Sequence, residues 1–292
     1  MSRYGFRKTF SALTIGFIAL VVTFLWVASY RAHATSQPAF QFPASVQQGS
    51  LVIGRVAPGI QDVRYNGQSL RISPEGWVVM GVGRNATQSV VIDVITRSGQ
   101  LGQAHIEVTP RDWPIEQVNG VPSKTVAPPP AIAERIKREQ AAVTTARLRD
   151  DARTDFVKPF IWPVEGRISG RFGNQRIYNG TPGTPHSGMD IAAVKGTPVK
   201  APAAGLVTFA NASLYLTGGT LIIDHGQGVS SNFLHLSRID VCPGQYVQQG
   251  QIIGAVGATG RATGPHLHWG MNWFDVRVDP LLVLDATKAM PQ

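Results

Sequence analysis

Cysteine is nearly absent from this chain: Cys242 stands alone in 292 residues. One thiol cannot close an internal disulfide, and it excludes zinc sites built from several cysteines. A metal bound here has to be held by histidine and carboxylate. Cys242 has no Cys or His pattern near it and is expected as a small buried hydrophobe. Charge is scarce too, at 15% against 43% hydrophobic residues, and that balance excludes wholesale disorder. Acid is the rarer sign. Lys plus Arg minus Asp plus Glu is 27 − 18 = +9, which suits anionic partners such as cell-wall polymer, a membrane surface or nucleic acid. What the chain has in quantity is glycine, 31, and proline, 20, and so many turns point to β-rich architecture.

The amino terminus combines three features. Arg3, Arg7 and Lys8 carry charge with no acid among residues 1–8, an uncharged and mostly apolar stretch runs from Ser11 to Tyr30, and Ala32-His33-Ala34 supplies a small-x-small cleavage pattern. Together they read as a secretory signal over residues 1–34. The apolar stretch is also long enough to span a bilayer core of about 30 Å, so cleaved signal and retained inner-membrane anchor both stand. Either way the remaining chain is expected to be exported, to the periplasm or cell envelope. Nucleic acid is then excluded as the partner of the positive charge.

Residues 40–110 alternate apolar and polar positions in short runs. Ser50–Ile53, Leu70–Ile72, Trp77–Met80, Val90–Ile95 and Ala104–Val108 are strand candidates, with Asn66-Gly67 and Ser98-Gly99 as turns. This reads as a small β-sandwich domain. It carries no catalytic constellation, His105 included, so it is assigned as an interaction or spacer module open to a cell-envelope protein partner. Residues 111–159 read as a linker: Pro128-Pro129-Pro130 stiffens the chain before a charged helix over 131–153, where Glu134 and Arg138 form an i,i+4 pair. Residues 160–292 form a second β domain. Within it Gly196–Val199 leading to Gly205–Val207 resembles Gly244–Val247 leading to Gly254–Val256, which predicts two similar hairpin units in one sheet or flattened barrel.

Five of the seven histidines fall in this last domain: His186, His225, His235, His266 and His268. His186 and Asp190 are four apart, with Gly188 between them allowing the backbone to bend so that both reach one ion. His266 and His268 are two apart, so on a strand their rings share a face, roughly 7 Å from each other. Two histidines, one aspartate and water as fourth ligand make the open tetrahedral site of a catalytic zinc.

These residues sit in Gly183-Thr184-Pro185-His186-Ser187-Gly188-Met189-Asp190-Ile191 and Thr263-Gly264-Pro265-His266-Leu267-His268-Trp269. With Arg171-Phe172-Gly173, Gly196–Val199, Ile223–Gly226, His235-Leu236-Ser237 and Val247–Gln251, the stretch from Trp162 to Leu284 resembles the lysostaphin/LytM-type zinc metallopeptidases, which cut peptide cross-links of bacterial peptidoglycan. The resemblance implies a largely antiparallel β fold with a groove across it and Zn2+ held by His186, Asp190 and His268. It assigns His235 and His266 as the catalytic pair. Two departures stand out: Phe233 where the family often has Tyr, and Trp269-Gly270 where it often has Phe-Glu. His225 is read as a turn or supporting histidine.

The chemistry implied is amide hydrolysis by metal-activated water, with one of His235 and His266 accepting the proton and the other supporting the oxyanion. Two other classes compete. A non-catalytic regulator that activates other wall hydrolases would have lost ligand positions, and here all five are present. A sugar-phosphotransfer carrier would work in the cytoplasm, against the export signal.

Overall fold

The computed structural model describes residues 1–2, 39–86 and 89–288. The signal or anchor reading covers residues 1–34, of which 3–34 lie outside the described residues. Among the described residues no helix is long and apolar enough to cross a membrane.

The first strands are β1 (Phe40–Gln41), β2 (Ser45–Gln47), β3 (Leu51–Val56), β4 (Ile60–Tyr65), β5 (Gln68–Ser69), β6 (Trp77–Gly81), β7 (Val90–Thr96) and β8 (Leu101–Thr109). They make two sheets, β1-β3-β6 and β2-β8-β7-β4-β5. Alternation decides which side faces in: Val90, Ile92 and Val94 of β7 are buried while Val91 is exposed, and His105 of β8 faces solvent. Asn66 and Gly67 join β4 to β5 with both residues at positive φ, 51° and 77°, the backbone a two-residue hairpin turn needs. Leu70–Ile72 is not a strand; it crosses from β5 to β6 as irregular chain with Leu70 buried. β4 escaped the pattern because only Val63 of its six residues is buried.

After β9 (Ile115–Val118), helix α1 covers Pro130–Arg147. It begins on the proline run, where a missing N–H costs nothing, and stops six residues short of the expected Arg153. Asp150 and Asp151 follow, and negative charge at a helix C-terminus opposes the macrodipole. They turn instead to arginines: Asp150 to Arg71, Asp151 to Arg149 and Arg153. The i,i+4 pair on α1 is Arg135 with Glu139, 2.7 Å, rather than Glu134 with Arg138.

The remaining elements are β10 (Arg167–Gly170), β11 (Gln175–Tyr178), β12 (Thr181–Pro182), β13 (Met189–Ala192), β14 (Pro198–Lys200), β15 (Gly205–Leu214), β16 (Gly218–Asp224), β17 (Val229–Leu236), β18 (Arg238–Ile239), β19 (Tyr246–Val247), β20 (Ile252–Ala255), β21 (His266–Trp273), β22 (Val276–Val278) and α2 (Pro280–Lys288). The main sheet runs β10-β13-β21-β17-β16-β15-β19, antiparallel throughout, with β22 also on β21. A mainly β, antiparallel fold is what the sequence led us to expect.

The two similar units do not fold as separate hairpins. β14 of the first pairs with β20 of the second, while β19 of the second pairs with β15 of the first. Each unit thus completes the other's sheet. The stretch read as linker also departs from a mere spacer: β9 pairs in parallel with β11, and Ala39–Gln292 is one compact unit. Cys242 is exposed, not buried, one residue past the buried Val241.

Period-two alternation sorts the main sheet into a packed face and a working face. Met189 and Ile191 of β13, Leu267, Trp269 and Met271 of β21 and Phe233 of β17 are fully buried on one side. Side chains of this size stabilise by about 1.5–3 kcal/mol each when buried. Their intervening neighbours, Asp190, His266 and His268, are held on the other.

Candidate metal centre

Strand register places the first two ligand candidates. Asp190 lies directly opposite His268, and Ala192 opposite His266, in the β13–β21 ladder. His186 precedes β13, fixed by its N–H donating to Asn174 O and its carbonyl accepting from Gly173 N, both at 2.9 Å. Two glycines make the approach possible. A Cβ on Gly188 would lie 2.5 Å from Trp269 O and 2.8 Å from His268 Nε2, and one on Gly170 would lie 2.6 Å from Asp190 Oδ2.

Three atoms then converge. His186 Nε2 is 3.0 Å from His268 Nδ1 and 3.1 Å from Asp190 Oδ1, and His268 Nδ1 is 2.9 Å from that same oxygen. A tetrahedral ion with bonds of about 2.0–2.1 Å spaces its ligand atoms by about 3.3 Å, so the triangle needs little opening to accept one. The donor chemistry fits as well. His186 Nδ1–H donates to Arg171 O at 3.0 Å, which leaves Nε2 bare. Burial alone would raise the Asp190 carboxyl, but attraction to the His186 and His268 imidazoles packed against it holds it well below the usual range. Burial drives His268 down to about 3, neutral as a ligand must be. Among the described residues, His186, Asp190 and His268 are the one cluster of this kind that could hold a metal ion.

The other two histidines flank the triangle. His235 is centred 4.8 Å from the His266 ring and 6.3 Å from the His268 ring. His266 Nε2 stands 3.8 Å from Asp190 Oδ1. Each has its Nδ1–H taken by a backbone carbonyl, Thr259 O at 2.7 Å for His235 and Gly264 O at 2.9 Å for His266. Both therefore present a bare Nε2, the tautomer of a proton acceptor. Burial, and then the closeness of the His266 ring, push His235 down to about 4. His235 also sits at φ 63°, a left-handed backbone that non-glycine residues adopt at a cost. Its N–H donation to Thr217 O at 2.9 Å helps hold it there.

The structure thus brings together all five residues singled out from the sequence. It leaves His225 out. That ring is wholly buried at the end of β16, bonded to Ala204 O and Ser231 Oγ and edge-on to Phe160.

Residues that the sequence did not suggest complete the surroundings. Arg176 of β11 donates to Asp190 Oδ2 at 2.5 Å and to Glu116 of β9 at 3.3 Å, while Asn174 donates to Glu116 at 2.6 Å. The centre lies between two openings. One, of about 540 Å3, is lined by Glu116, Arg176, Asp190, His235, Arg261 and His266. The other, of about 300 Å3, lies on the His268 side beneath α1.

Comparison with known proteins agrees with this geometry. The sequence profile of Peptidase family M23 matches residues 184–280. A crystal structure from Pseudomonas aeruginosa, described as a peptidase M23, is 32% identical with a TM-score of 0.62, covering 82% of this chain and 95% of that one. The cell division protein DipM of Caulobacter vibrioides is 33% identical over 167 residues, 57% of this chain and 26% of its own. The peptidoglycan DD-endopeptidase ShyA of Vibrio cholerae is 42% identical over 111 residues, 37% of this chain and 26% of its own. The chain spans about a quarter of the length of these two curated relatives. With the ligand triangle, the paired histidines and a likeness running almost the full length of a solved M23 structure, this chain belongs to peptidase family M23.

Proposed function

We propose that this chain is a zinc-dependent endopeptidase that hydrolyses peptide cross-links of bacterial peptidoglycan, with His186, Asp190 and His268 as the metal ligands and His235 and His266 as the catalytic pair. One observation carries the reading: three candidate ligand atoms within 3.1 Å of one another, flanked by two histidines whose Nε2 atoms are bare. Zinc, when bound, supplies Lewis acidity that brings the pKa of its water to about 7 and polarises the scissile carbonyl.

The chain's own residues do the rest. Nε2 of one flanking histidine accepts the proton of the attacking water and returns it to the leaving amine. The other, once protonated, donates to the developing oxyanion. Neither needs to reorient, because carbonyls of Thr259 and Gly264 already hold both tautomers.

The test is digestion of purified peptidoglycan by the zinc-loaded chain, with product masses read afterwards. Cross-linked fragments should give way to monomers, and a chelator should stop the release. Intact cross-links at stoichiometric zinc would turn the reading over in favour of a non-catalytic regulator.

The site of action is proposed to be the cell envelope, reached through the signal or anchor in residues 1–34. Fused to a reporter active only outside the cytoplasm, residues 1–40 should give signal. A reporter trapped inside would defeat the envelope assignment.

A further inference from the structure

The roughly 300 Å3 cavity beneath α1 holds positive charge that the hydrolytic chemistry does not use. Arg147, the last residue of α1, and Arg277 of β22 both line it, with Asn232, Ser187 and His268. Arg147 is only 8% exposed; among the described residues its Nε has no hydrogen-bond partner, and its one side-chain bond is a 3.5 Å contact from a terminal nitrogen to Thr144. Among the described residues neither guanidinium has an acid within 4.0 Å. The cavity's own acid, Glu139, is already engaged by Arg135 and by Tyr215 N–H, both at 2.7 Å. Burial, and then the charge of Arg147, bring Arg277 down to about 10. Two guanidiniums sharing one poorly solvated space repel each other, and an anion between them relieves that cost.

Register says where such an anion would sit. Arg277 pairs with Asn272, four residues along β21 from His268, so it shares the working face of the sheet at about 13 Å from the metal ligand by strand rise. Asn272 is fully buried, its Nδ2 is unpartnered among the described residues, and its Oδ1 accepts from Asn232 Nδ2 at 2.9 Å. Between His268 and Asn272 stands Gly270, which puts no side chain, and in particular no acid, on this face. About 13 Å is the reach of three to four residues of extended peptide.

We propose that Arg277, joined by Arg147, forms a carboxylate-binding subsite that reads a free carboxyl group of the substrate's stem peptide, three to four residues' reach from the bond cut. The proposal rests on the endopeptidase reading for the identity of the peptide. The arginine fork matches a carboxylate bidentately, and a charge-assisted bond of this kind is among the stronger polar contacts.

The experiment compares a stem tetrapeptide as free acid and as carboxamide, titrated calorimetrically into the full zinc-loaded chain. The acid should bind about tenfold to a hundredfold more tightly. Arg277→Met should erase that preference while leaving carboxamide affinity and zinc content unchanged. Arg277→Gln gives the same readout should the methionine variant fail to fold. Equal affinity of wild-type protein for acid and carboxamide, or a preference that survives in a folded Arg277 variant, would overturn the subsite. Because binding is read rather than cleavage, a chain that cuts nothing would defeat the endopeptidase reading and still decide this one.

Discussion

Two glycines of the site motifs look equivalent in sequence, Gly188 in His-Ser-Gly-Met-Asp and Gly264 in Thr-Gly-Pro-His, yet the structure assigns their alanine variants opposite outcomes. A Cβ at Gly188 would lie 2.5 Å from Trp269 O, 2.7 Å from Gly270 Cα and 2.8 Å from His268 Nε2. Two of these are backbone atoms in the middle of β21 and cannot swing aside. Since real Cβ contacts essentially never fall under 3.0 Å, the chain around residue 188 must move away from β21 by at least about 0.5 Å, where metal–ligand distances tolerate about 0.2 Å. The displaced atoms flank His186 and Asp190 on one side and His268 on the other, so one substitution opens the ligand triangle.

Overpacking of this kind costs about 1–3 kcal/mol, a fall in Tm of about 3–10 °C for a domain of this size. Zinc affinity should drop at least about tenfold, as it does when ligand support is lost. At Gly264 an added Cβ meets nothing within 4 Å, and the extended backbone favoured before Pro265 admits alanine. Gly264→Ala should stay within about 0.5 kcal/mol of wild type. Thermal unfolding with chelator-competition titration of zinc measures both. A Gly188→Ala protein with native Tm and native zinc affinity would refute the reasoning, as would damage from Gly264→Ala.

Other expectations are simpler to state. His268→Ala, His186→Ala and Asp190→Ala should each lose zinc and activity together, whereas His235→Ala and His266→Ala should retain zinc and lose about 10²–10⁴ in rate; elemental analysis beside a peptidoglycan release assay separates the two classes. His225 has an ordinary value near 6.5 that burial pushes down to about 4. The unfolded chain therefore binds the extra proton first, so stability from this group is complete above about pH 6.5 and falls by about 3 kcal/mol as pH drops towards 4. Denaturant unfolding from pH 7 to 4 should show that loss reduced in His225→Asn, and an equal slope in both proteins would sink the argument. Exposed Cys242 should react with one equivalent of thiol reagent in the native state, and a protected thiol would contradict its position.

The candidate metal cluster was legible because its constraints are local, while the choice of His268 over His266 as a ligand came from the family resemblance. A period of two places His266 and His268 on one face of a strand, and a glycine within His-x-x-x-Asp lets two side chains turn to one point. Alternation likewise exposed β7 and β8 and the Asn66-Gly67 turn. Three features were hidden because their causes are distant. Exchange of strands between the two similar units depends on β14 meeting β20 and β19 meeting β15, which local pattern cannot distinguish from two hairpins. The length of α1 was set by arginine partners for Asp150 and Asp151 as remote as Arg71. Exposure of Cys242 follows from which side of a turn it occupies, and composition favours burial for any lone cysteine.

The stretch between the two β regions shows how far such distant causes reach into the site. Read as a spacer, it should leave the metal centre to residues after 160. Instead Ile115–Val118 pairs with all of β11, whose other neighbour, β12, pairs with only two of its residues. Glu116 answers Arg176 and Asn174 at once, and Arg176 in turn occupies the oxygen of Asp190 that faces away from the ligand triangle. That division gives the carboxylate two distinct sides, one bonded to a fixed cation and one left for an ion. Trp113, just before β9, stacks edge-on against Phe172 and takes up the space a Cβ on Gly173 would need. Gly173 N–H is the donor that fixes His186 O. Through Glu116 on one side and Trp113 on the other, both ends of the His186–Asp190 motif are steadied by chain that precedes it by about 70 residues. The spacing within the motif says which atoms can meet; this long-range support decides the geometry in which they do.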